Sequence, residues 1–512
     1  MPHFPPIIFA IAFVALVIAL TALARRLPIP TPILQVVAGL LIALVPGVEI
    51  PALQPDIVFF VFLPPILWAA AFFTSVREFK ANIRPIGLLA VGLVLITAVA
   101  VAIAARALLP GLPWAVAVAL GAIVSRLPVP RRVIVILEGE SLVNDASALV
   151  LYRTAVAAAV TGVFSWGESI VRFFIDAGVG SLIGVLVGWL IVRAARRTKD
   201  SLAETLLTIA GPYVAWITAE SLHVSAVLAC VVGGIYLRQH LSLAVGPLSR
   251  LQTRIVWDLL IFLLNAMIFI VLGAQFATLL RSVPHDQLEP LLWTGVIISA
   301  VAIVVRLLWV PIATYLPRKL SAETRRRDPI PNPKGVVLVA WTSMRGIVSL
   351  ATALALPLVL ADGRPFPFRT EIILITMCVI VLTLVVQGLT LEPIIRRFNF
   401  SPEHVHQDEE RLARREALRR GAEALDDLSR EPWADPRDVD WLRNEARDKL
   451  RMHEHQGGGT NARRRLRAGM IHAERRILIR LRNEGAISDE VLGELERELD
   501  FEAVRVGGTD AR

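Results

Sequence analysis

The sequence predicts an all-α polytopic membrane protein of about thirteen transmembrane helices with a helical tail. Three observations point there. The 512 residues are 55% hydrophobic with a mean hydropathy of +0.62, above the roughly 45–50% apolar content of a soluble domain. The apolar residues gather into runs near the length of about 20 residues that crosses about 30 Å of hydrocarbon. The basic residues fall in the short gaps between runs, and unevenly.

The runs lie near 6–24, 31–47, 56–75, 85–108, 112–127, 133–160, 170–192, 203–220, 223–237, 255–280, 289–315, 335–360 and 370–395. Ala22-Leu23-Ala24 resembles a cleavage site, but no Lys or Arg precedes the first run and Arg25-Arg26 follow it. That order predicts an uncleaved first helix with its N-terminus outside. Alternate gaps carry Arg25 and Arg26; Arg77, Lys80 and Arg84; Arg126, Arg131 and Arg132; Arg193, Arg196, Arg197 and Lys199; Arg238, Arg250 and Arg254; and Arg318, Lys319, Arg325, Arg326, Arg327 and Lys334. These are about 21 basic residues against about five on the other side (Arg106, Arg172, Arg281, Arg364, Arg369), so the basic side is cytoplasmic. The net charge of +9 is read as topology, not as a nucleic-acid surface. Cys230 and Cys378 lie inside apolar runs, and neither a disulfide framework nor a cysteine metal site is expected.

From about residue 398 charged residues dominate. The expected organisation is therefore a transmembrane domain over 1–397 and a cytoplasmic charged helical tail over 398–512, in a multi-pass plasma-membrane protein. Gly457-Gly458-Gly459 is a flexible divider, and Leu492, Leu495 and Leu499 at helical spacing predict a small hairpin packed on the Ile471 to Leu481 stretch.

Within the run 133–160 stands GESLVNDASALV, residues 139–150. A carboxylate at the centre of a bilayer costs roughly 2.5–3.5 kcal/mol even on the milder scales, so it is read as functional by default. Asp145 lies about 12 residues into the run, roughly 18 Å along a helix and near the midplane. Ser141 precedes it by one turn on the same face, and Glu140 and Asn144 form a second pair alongside. Arg345, in WTSMRGIVSLATALALP, is central in its own run and needs a carboxylate; Glu140 is the candidate. Asp145 is then left titratable, with Ser141 and Asn144 offering neutral oxygens. A hard alkali cation takes oxygen ligands, so Asp145 can hold either a proton or that cation. Asn265 and Arg306 are read as hydrogen-bonding glue between helices. Glu138, Arg153, Asp176, Glu204, Glu220 and Glu371 lie nearer run ends, where they can snorkel.

The stretches LEGESLVNDASALVLY, FLPPILWAAAFFTS, WTSMRGIVSLATALALP, ESLHVSAVLACVVGGIYL and LTLVVQGLTLEPIIRR together resemble the cation/proton antiporter-1 family, bacterial sodium/proton antiporters related to animal sodium/hydrogen exchangers. The likeness spans roughly residues 5–400. It implies a thirteen-helix fold with inverted repeats, a homodimer and no cofactor. It also implies exchange of Na⁺, or K⁺ or Li⁺, for H⁺ at Asp145 assisted by Ser141 and Asn144, with Glu140 and Arg345 as a stabilising pair. Asn144 before Asp145, in place of a second aspartate, implies one cation per proton. Two features depart from the family. Trp68 stands where many relatives carry a glutamate after the Pro-Pro motif, and the stretch GAIVSRLPVPRRVIVILEGES, from the end of the fifth run into the sixth, lacks about a dozen residues and leaves the fifth run short. The shortening leaves open a transport-incompetent member with a structural or sensing role; a channel is the weakest reading, since nothing resembles a filter loop.

Overall fold

The computed structural model describes residues 6–27, 29–45, 57–74, 88–124, 148, 151–152, 154–160, 166–198, 200–241, 244–320, 331–342, 347–360, 362–398, 404–454, 459–484, 491–492, 495, 498–499 and 502. These residues are helical or in connections, and one isolated bridge, Val359 to Pro365, is the β pairing among them. The chain divides into two compact units, Met1–Asn399 and Phe400–Arg512.

The first unit is the polytopic one. Its helices are α1 Pro6–Ala24, α2 Thr31–Leu44, α3 Leu63–Phe73, α4 Val94–Leu108, α5 Trp114–Val124, α6 Trp166–Ala195, α7 Ser201–Ser221, α8 Ala226–His240, α9 Pro247–Ser282, α10 His285–Leu320, α11 Pro333–Trp341, α12 Ile347–Leu354 and α13 Arg369–Phe398. Residues 154–160 are also helical. Among the described residues six helices are long and apolar enough to cross a membrane, and four shorter apolar helices accompany them. Large side chains such as Phe174 (67% exposed) and Leu206 (65%) point outward from these helices, as a lipid-facing surface requires.

Local sequence sets the ends. Pro32 lies in the first turn of α2, where its missing N–H is not needed. The side chains of Asp200, Ser225 and Asn332 cap α7, α8 and α11 by accepting from the backbone N–H of Leu202, Leu228 and Lys334. Pro64 and Pro65 open α3, and because neither has an N–H the preceding turn, Val58–Phe62, widens to a π-helix. The Val61 carbonyl, which residue 65 would have bonded, instead accepts from the Tyr213 hydroxyl of α7 at 3.3 Å.

Helices approach most closely where glycine allows it. A Cβ on Gly39 of α2 would lie 1.8 Å from the Ile270 carbonyl oxygen of α9, and one on Gly273 of α9 would lie 1.9 Å from that of Val36. The two backbones therefore touch, the small-residue packing expected where lipid removes the usual apolar driving force between helices. The seam of α6 with α8 is built likewise, Gly180 against Ser225 and Gly184 against Ala229. Between α7 and α9 the buried contacts are polar: the Trp257 indole donates to Thr208 Oγ1 at 3.0 Å, and Thr205 and Thr253 hydroxyls meet at 3.1 Å.

Two expectations need correction. The run 335–360 is not one helix, because α11 stops at Trp341. The Thr342 backbone turns extended (φ −75°, ψ 109°) and its hydroxyl takes the Leu338 carbonyl. Glu204 does not snorkel; it is buried at 6% exposure in the first turn of α7, where the partial positive charge of a helix N-terminus favours a carboxylate.

The second unit contains α14 His404–Leu428, α15 Pro436–Glu454 and α16 Gly459–Asn483. Arg443 of α15 bonds Asp426 of α14 at 2.7 Å. Arg419 donates to Glu416 and holds its carboxyl below the ordinary range. Exposed pairs of this kind are worth about 0–1 kcal/mol. Ile471, Leu492 and Leu499 are buried, and Arg467 hydrogen-bonds Glu502 across the chain reversal.

The α2–α9 contact generates a test. Gly273→Leu forces two backbones apart and is expected to destabilise the first unit by at least the roughly 1–3 kcal/mol of ordinary overpacking. The thermal midpoint of the purified protein should fall by several degrees, while Gly335→Leu, whose Cβ meets nothing within 4 Å, should leave it unchanged.

Candidate functional site

Among the described residues, two helices of the first unit are too short to span a bilayer. The 9 residues of α11 and 8 of α12 rise about 14 and 12 Å, against about 30 Å of hydrocarbon. α11 stops at Trp341 between the buried Ala340 and Thr342, so this helix ends in the interior. A helix that ends there leaves carbonyls without partners, and each costs free energy unless another group donates to it.

The structure supplies the donors from side chains. Ser349 of α12, 1% exposed, donates its hydroxyl to the Ile123 carbonyl of α5 at 2.8 Å. This bond ties the interrupted α11–α12 stretch to α5. Arg306 of α10, also 1% exposed, donates Nη2 to the Val339 carbonyl at 3.1 Å, the acceptor that an N–H at 343 would take in an unbroken helix. At the far end of α12, Arg369 donates to the carbonyls of Leu354 and Leu356, each at 3.0 Å. Sequence reasoning reached Arg306 as glue but missed what it glues, and it missed Ser349, Thr342 and Arg369. Their acceptors are backbone carbonyls, which leave no mark in a sequence.

Trp68 forms another wall. It is fully buried in α3, its ring lying between Gly211 of α7 and Gly233 of α8, where added Cβ atoms would come within 2.9 and 2.4 Å of the indole. Its Nε1 has no hydrogen-bond partner among the described residues. The position carries a large apolar plate and no carboxylate.

The residues singled out by the sequence, Glu140, Ser141, Asn144, Asp145 and Arg345, lie outside the described residues, as do Ser125 to Pro130 of the shortened fifth run. What is described flanks them. Ala148, Tyr152 and Ala155 are buried, and the Arg345 segment is bracketed by the end of α11 and the start of α12. Among the described residues no group of three or more His, Cys, Asp or Glu is gathered that could hold a metal ion.

Interrupted helices meeting in the interior of a polytopic bundle are the arrangement in which transporters build ion sites. The family model described as sodium/hydrogen exchanger, transmembrane, matches residues 11–397. The chain belongs to the sodium/hydrogen exchanger family. An uncharacterized Na⁺/H⁺ exchanger of Mycobacterium tuberculosis is 31% identical over 527 aligned residues, covering 98% of this chain and 96% of its own. A sodium, potassium, lithium and rubidium/H⁺ antiporter of Bacillus pumilus is also 31% identical, over 95% of this chain and 76% of its own. The solved sodium proton antiporter MjNhaP1 of Methanocaldococcus jannaschii shares the fold, with a TM-score of 0.57 at 20% identity over 76% of this chain and 97% of that one. These relatives are membrane exchangers and antiporters, not enzymes.

In this exchanger Ser349→Ala removes a buried hydrogen bond to the Ile123 carbonyl, for which about 0.5–1.5 kcal/mol is the ordinary net loss. The thermal midpoint should drop, and Ser349→Thr, which keeps the hydroxyl, should recover most of it. Equal losses in the two variants would remove the Ile123 bond as the cause.

Proposed function

We propose that the chain exchanges Na⁺, with K⁺ and Li⁺ as alternative cargo, for H⁺, one for one, by competition of the two ions for Asp145 near the midplane. The observation that carries this reading is the Ser349–Ile123 bond, which ties the interrupted α11–α12 stretch to α5 in a member of an exchanger family. The relative from Bacillus pumilus, named for four alkali cations, supports the cargo class.

The buried residues just beyond the motif support the role of Asp145. Ala148, Tyr152 and Ala155 stand 3, 7 and 10 positions after it and are buried. At about 100° per residue a helix carried back from them would put Ser141 at the centre of that inward face, with Asn144 and Asp145 about 50° to either side of it. Glu140 would fall about 90° off, toward a separate partner, and Arg345 is that partner. The pair neutralises itself and leaves Asp145 as the carboxylate that must always be charge-balanced by cation or proton. Trp68 adds no second carboxylate, which fits a single charge exchanged per cycle.

The remaining features of the reading are topological. Residues 1–397 form the exchanging domain and 398–512 a cytoplasmic helical tail, with the N-terminus outside, in a plasma-membrane homodimer with inverted repeats across about thirteen helices. A second reading, a transport-incompetent member with a structural or sensing role, rests on the shortened fifth run of the sequence.

One assay separates these. In everted membrane vesicles holding an acid interior, added NaCl should dissipate the gradient for the wild type. Asp145→Asn should abolish this response while the protein inserts and keeps its thermal midpoint, because the amide retains shape but exchanges no proton. Glu140→Gln should act through stability, losing about 3–5 kcal/mol by stranding Arg345. Because one carboxylate serves both ions, the apparent Na⁺ affinity should weaken as pH falls through the folded pKa of Asp145. Exchange that survives in Asp145→Asn would sink the competition mechanism; an inactive wild type would favour the second reading.

A further inference from the structure

Away from the interrupted helices, the last turns of α6 and α8 enclose a cavity of about 230 Å³ lined by Trp189, Arg193, Arg196, Arg197, Tyr236 and His240. Gly188 makes it, since a Cβ there would stand 2.9 Å from the Tyr236 ring and push the helices apart. The Arg193 guanidinium lies over Trp189 at 5.7 Å. The His240 ring stacks on Tyr236 at 4.2 Å, with Nδ1 2.9 Å from the Tyr236 carbonyl. None of the three arginines has an ion-pair or hydrogen-bond partner for its guanidinium among the described residues. The nearest acid along the chain, Asp200, is occupied in capping α7 through the Leu202 N–H.

Two simpler explanations fall short. A helix C-terminus attracts cations, but its charge is about half a unit, against three guanidiniums. Solvated basic loops follow from topology, but they need neither a cavity nor aromatic walls. Trp189 is 46% exposed on the same outward side as Leu186 and Leu190, so the cavity opens at the level where the apolar surface gives way to the basic gap. Trp and Tyr gather at headgroup depth, and basic pockets between helices on the positive side take anionic headgroups. Guanidinium forks match the oxygens of a phosphate.

We propose that this cavity binds the phosphate of an anionic lipid headgroup, clamping the ends of α6 and α8 at the membrane surface. The assignment needs only that the first unit lies in a bilayer, and it stands whether or not the chain exchanges ions as proposed above.

The test uses the full chain purified in detergent. Native mass spectrometry with phosphatidylglycerol and phosphatidylcholine reads lipid retention, and thermal unfolding reads stabilisation by each lipid and by inorganic phosphate. The wild type should retain phosphatidylglycerol over phosphatidylcholine by on the order of a hundredfold, given about 1 kcal/mol per basic residue at the headgroup. Arg193→Gln/Arg196→Gln/Arg197→Gln should lose nearly all of that preference, and Arg25→Gln/Arg26→Gln, a basic pair outside the cavity, should keep it. Trp189→Leu retains the charges and should lose a smaller share, which keeps the proposal testable if the triple variant does not fold. Undiminished retention in the triple variant would overturn the site. Equal loss in the Arg25/Arg26 variant would overturn it in favour of diffuse attraction. Stabilisation by inorganic phosphate equal to that by phosphatidylglycerol would place the ligand in solution and overturn the lipid assignment.

Discussion

Hydrocarbon offers no hydrogen-bond partner, so a helix that stops inside it must hand its last carbonyls to another group. Much of the described interior follows from that constraint. Leu338 is answered by Thr342, Val339 by Arg306, and Leu354 and Leu356 by Arg369, and the Ile123 carbonyl of α5 also accepts from Ser349. The Val61 carbonyl, freed when Pro65 removes a donor, is answered by Tyr213. Arginine suits this duty because its five donors lie in one plane and it stays protonated. Arg306, read from the sequence as glue between helices, thus serves as a cap that lets α11 break, and Arg369 caps the end of α12.

The positions of the long helices were legible because a bilayer demands a long apolar run and a charge bias at its ends. The first run, 6–24, coincides with α1, and the runs 203–220 and 370–395 lie within α7 and α13. The interruption of 335–360 was not legible: Trp341, Thr342 and Ser343 are unexceptional in a helix, and the break depends on a hydroxyl and a guanidinium that come from elsewhere or turn back on their own chain. Glu204 differs for another reason: nearness to a run end gives no access to water when the side chain turns inward, and in the first turn of α7 Glu204 and Thr205 are buried while Leu202 is exposed. Of the candidate site, the motif 139–150 and Arg345 could be named from composition alone, because a charge in an apolar run needs a reason. The Ser349–Ile123 join could not.

Trp68 shows why a departure from a family pattern has to be read with its neighbours. Its ring is accommodated by Gly211 and Gly233 on two other helices, and Gly234 would bring a Cβ to 2.7 Å of the Trp68 carbonyl. Three glycines on α7 and α8 and one tryptophan on α3 form a single packing solution. A glutamate at 68 would leave a cavity beside Gly211 and Gly233 and bury a further charge, each costly in an apolar interior. The plate therefore fixes α3 against its neighbours and keeps that wall of the interior uncharged.

The two kinds of helix contact differ in what it takes to move them. Along α2–α9 and α6–α8 the backbones touch at glycine, so sliding either pair one residue drives a side chain into a carbonyl. At α5 and α12 the described tie is one hydroxyl on one carbonyl, worth about 0.5–1.5 kcal/mol net and replaceable by another donor or by water. Relative movement of helices in the first unit therefore meets less resistance at the Ser349–Ile123 tie than along the glycine seams.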